Sequence, residues 1–168
     1  MQEVYAGRYT AVTDEPFVVF LIGMRINKLH LIHKWLPVAR SMGPMLQTLY
    51  EHPQKGFLAG HGYFDFGHRV SLLVQYWRSF ADLEAFARNR EDPHLAAWQN
   101  FNRAVGTDGT VGIWHETYKI HAHEHESVYG NMPRFGLATA FDHVPVGRHS
   151  NSARQRINKA KNLEKFTA

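Results

Sequence analysis

The pattern of apolar residues along this 168-residue chain predicts an α+β fold, and three observations predict it. Strand patterns open and close its central part, with a hairpin pattern between them. Helical spacing fills the two gaps. Apolar residues also occur on both faces of the strands, so the sheet face that its own helices leave open needs cover. The resulting order, β-α-β-β-α-β, is the ferredoxin-like split βαβ unit. No internal repeat is present, so the second layer must come from another copy, which gives a dimeric α+β barrel and makes the protein a homodimer.

The elements follow in order. Residues 1–15 mix charge with Gly7 and read as an N-terminal arm anchored by Tyr5, Tyr9 and Val12. Pro16 to Ile26 is β-branched and aromatic on both faces, the mark of a central strand, and Arg25 stands out at its end. Leu29 to Tyr50 has helical spacing with a break at Leu36-Pro37, after which Val38, Met42, Met45, Leu46 and Leu49 make an apolar face. His52-Pro53 and Gly56 end it.

Gly56 to Phe66 and Val70 to Trp77 read as two strands joined by the turn Gly67-His68-Arg69. Ser79-Phe80-Ala81-Asp82 is a capping signal for a helix with Leu83, Phe86 and Ala87 on its inner side. Asp92-Pro93 opens the next helix, with Asp92 as N-cap and Pro93 where its missing N–H costs nothing. Here His94, Trp98, Phe101 and Val105 fall on one stripe. After Gly106 and the turn Thr107-Asp108-Gly109, Val111 to Ile120 is the last strand. Ile113, His115 and Thr117 share one of its faces and Trp114, Glu116 and Tyr118 the other. The barrel domain spans residues 16–140, with Tyr129 to Ala138 folding back over it, and residues 141–168 form a basic, mobile tail.

Composition narrows the function. The absence of cysteine removes disulfides, thiolate nucleophiles, Cys-ligated zinc and iron–sulfur clusters together. The longest apolar run, Phe17 to Ile22, is too short to span a bilayer, and no basic-apolar-cleavage pattern opens the chain, so a membrane role is not expected and the cytoplasm is the default compartment. The net charge of +4 raises nucleic acid as a partner, but residues 148–168 carry six Lys/Arg and one acid. The remainder is close to neutral and lacks a phosphate-binding face, so no nucleic acid is expected. There is no Gly-rich nucleotide turn and no G-x-S-x-G elbow.

Two histidines on neighbouring elements, His94 on the helix and His115 on the last strand, are expected to flank one buried pocket with Trp98, Phe101 and Trp114 as walls. Such a pocket takes a small-molecule substrate. Arg25, pointing inward, would pair with an anion. His121, His123 and His125 alternate as the last strand runs out; they could share a face and bind a metal, or simply be polar alternation at an exposed strand end.

The runs Tyr76-Trp77-Arg78-Ser79-Phe80, Leu83-Glu84, Phe86-Ala87, His94-Leu95, Phe101, His115-Glu116 and Tyr129-x-Asn131 resemble the second half of the heme-containing aldoxime dehydratases over residues 70–137. That resemblance implies heme b held by His94 as proximal ligand, with His115 as distal acid/base. Aldoxime dehydratases carry two such units fused in one chain; their active-site serine is replaced here by Met24 or Arg25, and the arginine of their first half has no counterpart. Over residues 8–140 the chain is similar to short monooxygenase-like proteins related to antibiotic-biosynthesis monooxygenases, one of them a fungal enzyme of terpenoid biosynthesis. Arg25-x-x-Lys28, His33-Lys34-Trp35-Leu36-Pro37-Val38, Gly112-Ile113-Trp114-His115-Glu116-Thr117-Tyr118 and Asn131-Met132-Pro133-x-Phe135-Gly136-Leu137-Ala138 carry this likeness. Both relatives imply the dimeric α+β barrel.

Three functions follow as expectations. The first is a heme enzyme acting on an N–O compound, peroxide or oxygen, with a red colour that depends on His94. The second is a cofactor-free monooxygenase in which His115 removes a proton from the substrate. The third is a non-catalytic binder of heme or another flat ligand.

Overall fold

The computed structural model describes residues 2–91 and 93–158. The side chains of Pro93, His94, Ala96, Ala97, Ala104 and Asn158 lie outside that description, as does the expected N-cap Asp92. In chain order the elements are β1 (Tyr5–Val12), β2 (Phe17–Ile26), α1 (Ile32–Glu51), β3 (Phe57–Asp65), β4 (Val70–Trp77), α2 (Phe80–Arg88), α3 (Pro93–Ala104), β5 (Val111–Ile120), β6 (Tyr129–Met132), β7 (Asp142–Pro145) and α4 (Ala153–Asn158). Val19–Tyr118 make one compact unit, and the segments on either side of it make a second.

The inner unit has the sheet order β3-β4-β2-β5. β2 and β3, the strands joined through α1, are therefore separated by β4, and the fold is the ferredoxin-like split βαβ arrangement. β3 and β4 pair antiparallel from Phe57↔Trp77 to Asp65↔Val70. Their turn is held by Asp65, whose carboxylate accepts from the His68 backbone N–H at 3.1 Å and contacts its ring Nδ1 at 2.6 Å. α2 starts as its sequence requires, with the Ser79 hydroxyl accepting from the Asp82 N–H at 3.1 Å.

Helix α1 departs from expectation, for it runs unbroken through Pro37 and Pro44. The two prolines are seven residues apart and share an exposed stripe. The carbonyls they leave without a donor are four residues earlier, at the exposed His33 and Arg40, where water can pair them. The opposite stripe packs inward, with Met45 and Leu49 buried.

The faces of the inner sheet are set by alternation. Met24, Ile26 and Val111 cluster with Val105 of the chain beyond α3, against Trp35, Val38, Phe101 and Ile113. Even-numbered positions of β2 and odd-numbered positions of β4 and β5 therefore face the helices. Trp77 of β4 is completely buried there, stacked edge-on against Phe57 at 5.5 Å. Burying a side chain of that size contributes roughly 3 kcal/mol.

The outer unit corrects two expectations. The supposed N-terminal arm is β1, the centre of a three-stranded sheet ordered β6-β1-β7. Its strand pattern is masked in sequence because the register slips between Tyr5 and Arg8, around Gly7 at φ +93°. Part of the supposed mobile tail is ordered as well, through β7 and α4. Arg156, 9% exposed, bonds the Glu126 carboxylate from Nε at 2.6 Å and the carbonyls of Ser150 and Asn151 from Nη1 at 3.0 Å each. Residues 159–168 lie outside the described residues. Tyr129 to Ala138 supplies β6 and a 3-10 turn, in which the Ala138 N–H donates to the Tyr129 hydroxyl at 3.2 Å.

Candidate active site

His115 lies on the helix-facing side of β5, two residues beyond Ile113, whose side chain packs against the core cluster. Its ring meets Phe20 of β2 at 5.6 Å. It is exposed, as is the rest of β5 from Glu116 to Lys119, so the expectation of a strand covered on both sides and a buried histidine pocket is not met. The reason lies in length: β5 runs on past the end of the cluster that Val105 and Phe101 cover. On α3, Trp98 stacks on Phe101 with centroids 5.6 Å apart and stays 47% exposed. Phe101 and Ile113 meet the same cluster, which brings the aromatic stack of α3 and the histidine strand to one region. His94 occupies the first turn of α3, and its side chain lies outside the described residues.

Arg25 and Trp114 face the other way. The Trp114 indole lies over Gly23, where an added Cβ would sit 2.7 Å from its Nε1 and 2.4 Å from the Ser71 carbonyl oxygen. Arg25 is two residues along the same face, exposed, and its Nη1 donates to Asn27 Oδ1 at 2.8 Å. Strict alternation thus removes Trp114 and Arg25 from the surface that carries His115. Glu116 and Tyr118 share the face of Trp114, and the Tyr118 hydroxyl donates to the Glu116 carboxylate, which holds the phenol above its ordinary range.

From Phe20 an apolar crevice runs beneath α1 and α2, lined by Ile22, Met42, Met45, Leu49, Trp77 and Phe86, with Gln75 of β4 as its polar member. Its free interior is about 30 Å³. Gln75 escaped the sequence reading, although a glutamine between Val74 and Tyr76 at a core-facing position is a visible signal. Lys34 of α1 and Asp108 form an ion pair, and Asp108 also accepts from the Thr110 N–H at 2.7 Å. These contacts hold the Asp108 carboxyl well below its ordinary range and fasten the start of β5.

The histidine run after β5 does not form an extended face. The chain turns at His121, whose carbonyl accepts from the Glu124 N–H at 3.1 Å, and His123 has φ +65°. His123 and His125 line a cavity of about 160 Å³ in the outer unit with Thr10, Asp14, Glu126 and Arg156. Among the described residues, no three His, Cys, Asp or Glu side chains are grouped to hold a metal ion. Nor is any helix among them long and apolar enough to cross a membrane.

The fold has solved counterparts. It is similar to an aldoxime dehydratase solved with butyraldoxime, at TM-score 0.65 and 16% identity, over 81% of this chain and 40% of the other. A second aldoxime dehydratase matches at TM-score 0.64 and 18% identity, over 83% of this chain and 44% of the other. The chain therefore spans less than half the length of either. Among curated proteins, no sequence matches it. A family model described as Monooxygenase af470-like matches residues 17–137, which takes in β2 through β6 with His94, His115 and the crevice, and the chain belongs to that monooxygenase-like family.

Proposed function

We propose that the chain is an oxidoreductase of the monooxygenase type, acting on a small molecule at the His115 surface with heme b as cofactor and His94 as the iron ligand. One observation carries this reading: an exposed imidazole against Phe20 and an exposed Trp98 ring stacked on the half-buried Phe101 belong to one unit. Large aromatic rings left in water beside a titratable group mark a surface that a ligand covers.

The donor set suits heme. By sequence spacing His94 shares a helical stripe with Trp98 and Phe101, and those two rings offer apolar contact to a macrocycle. The closed crevice, at about 30 Å³, is far below the roughly 300 Å³ at which ligand pockets begin, so only the open side has room. When bound, heme supplies the one-electron and oxygen chemistry. The chain's own residues do the rest. His94 offers a neutral ring nitrogen, Trp98 and Phe101 exclude water from one side, and His115 gives or takes a proton at a ring nitrogen. Arg25 and Trp114, on the opposite face, take no part.

The exposure of the His115 imidazole favours a second reading. A modest apolar substrate covers the same open surface without any cofactor, His115 removes its proton, and the resulting carbanion is oxidised directly by oxygen. An absorbance spectrum of the purified chain, with and without hemin and reductant, separates the two. The heme reading expects a Soret band at one heme per chain, shifted on reduction, lost in His94→Ala and kept in His115→Ala, which no longer turns over. Loose hemin binding that ignores His94→Ala overturns it and leaves the cofactor-free reading. Full turnover by His115→Ala overturns both.

A further inference from the structure

The turn of the β3–β4 hairpin holds aromatic side chains in water. Phe64 is 46% exposed and Phe66 83%, and their rings meet edge-on at 4.7 Å. Neither ring is needed to make the turn. Its shape comes from Asp65, which accepts the His68 N–H and contacts the His68 ring, and from Arg69 at φ +56°. A phenylalanine left this open contributes little to folding, whereas covering it with an apolar medium is favourable in proportion to the area removed from water.

Cations stand at the same end of the inner unit. The Arg69 carbonyl accepts from the Ile26 N–H at 3.0 Å, which puts the end of β2 beside the turn. Arg25 and Lys28 lie on either side of Ile26, and both are exposed. The Lys28 N–H donates to the Thr110 carbonyl at 3.2 Å and Arg25 Nη1 to Asn27 Oδ1 at 2.8 Å, so they sit on a fixed strand end. Among the described residues, no carboxylate pairs with Arg25, Lys28 or Arg69. The acids that hydrogen bonds place at this end are engaged elsewhere, Asp65 by His68 and Asp108 by Lys34.

We propose that the β3–β4 turn is a membrane-docking element, with Phe64 and Phe66 entering the boundary of an anionic bilayer and Arg25, Lys28 and Arg69 meeting its headgroups. Apolar rings beside unpaired cations are the two signals that bind a protein to such a surface. A rigid protein partner would need about 800 Å² from this chain, more than one turn supplies, but a fluid bilayer closes around a small wedge. Docking of this kind needs no spanning run, so the short apolar stretches of the sequence do not argue against it. It is also independent of the chemistry at His115, and its test does not use turnover.

The full chain is sedimented with vesicles of phosphatidylcholine alone and of phosphatidylcholine mixed with phosphatidylserine. Binding is expected to the mixed vesicles, weakly to the neutral ones, and to fall as salt is raised. Phe66→Ser is expected to weaken it about tenfold, and Lys28→Gln about fivefold. Because the chain has no cysteine, Phe66→Cys takes a single polarity-sensitive fluorophore. That label is expected to brighten and shift to the blue on mixed vesicles. The same label on Gln54→Cys, at the other end of the hairpin, is expected to stay unchanged. No binding to mixed vesicles, equal binding to neutral ones, an unaffected Phe66→Ser, or equal responses from the two labels would each overturn the proposal. So would a dimer that Phe66→Ser converts to a monomer without lipid, which would assign the turn to a second copy. The lipid and salt dependence uses the unaltered chain, so it stands even if a variant does not fold.

Discussion

Gly23 shows how one residue decides what a whole face can hold. Its missing side chain is the space in which the Trp114 indole lies, and the second near atom is a backbone oxygen of β4 that cannot swing aside. Gly23→Ala is therefore expected to lower stability by roughly 1–3 kcal/mol, as overpacking does. Urea unfolding with an unchanged slope and a lower midpoint would show it; an unchanged midpoint would mean that Trp114 has an alternative seat. At this scale period 2 and period 3.6 give the faces on which His115, Trp98 and Phe101 lie without knowledge of the partner element. Trp114 was misassigned to the pocket although its own alternation with His115 already put it on the far face. Arg25 lies on that far face as well, and Gln75 was passed over although its core-facing place between Val74 and Tyr76 could be read from the alternation of β4.

Elements were legible where a local device sets them and obscure where one is disguised. Ser79 capping α2 and Asp65 closing the β3–β4 turn could be read directly. β1 could not, since the slip at Gly7 interrupts the alternation, and Pro37 of α1 pointed to a break that an exposed stripe makes unnecessary. The sheet built on β1 has a consequence for pH. His143 of β7 lies among Tyr5, Tyr9 and Tyr129, with centroids 4.7 to 5.6 Å away, and neither ring nitrogen has a hydrogen bond. Burial, and then the charge of Arg134, push its pKa below the ordinary value of 6.5. Burial, and then His123, push that of His125 down as well, against the pull of Asp14. A histidine held neutral binds fewer protons folded than unfolded, so its penalty is absent above about pH 6.5 and grows as pH falls below it. Thermal midpoints should fall by a few degrees between pH 7 and pH 5, and His143→Phe should flatten that slope with little change at pH 8. An equally steep acid limb in His143→Phe would remove this histidine from the account.

For the whole molecule the informative fact is what the inner sheet leaves open. The helices cover one face. The other presents Val19 and Leu21 from β2, Leu72, Val74 and Tyr76 from β4, and Trp114 from β5, all only half-buried. These side chains alternate with the helix-facing ones and lie across the middle strands of the sheet. Here the cover we propose is a second copy of the chain, sheet against sheet, with the same patch on both sides of a two-fold axis. β4 lies between β3 and β2 in the sheet, which makes Val74 a central position of the patch. Val74→Glu would put two carboxylates near that axis, where their repulsion and desolvation oppose association while leaving the helix-facing core untouched. Sedimentation should find a dimer for the unaltered chain and a monomer for Val74→Glu. If the unaltered chain sediments as a monomer across the micromolar range, the open face belongs to some other partner, whereas a dimer that survives Val74→Glu must be joined elsewhere.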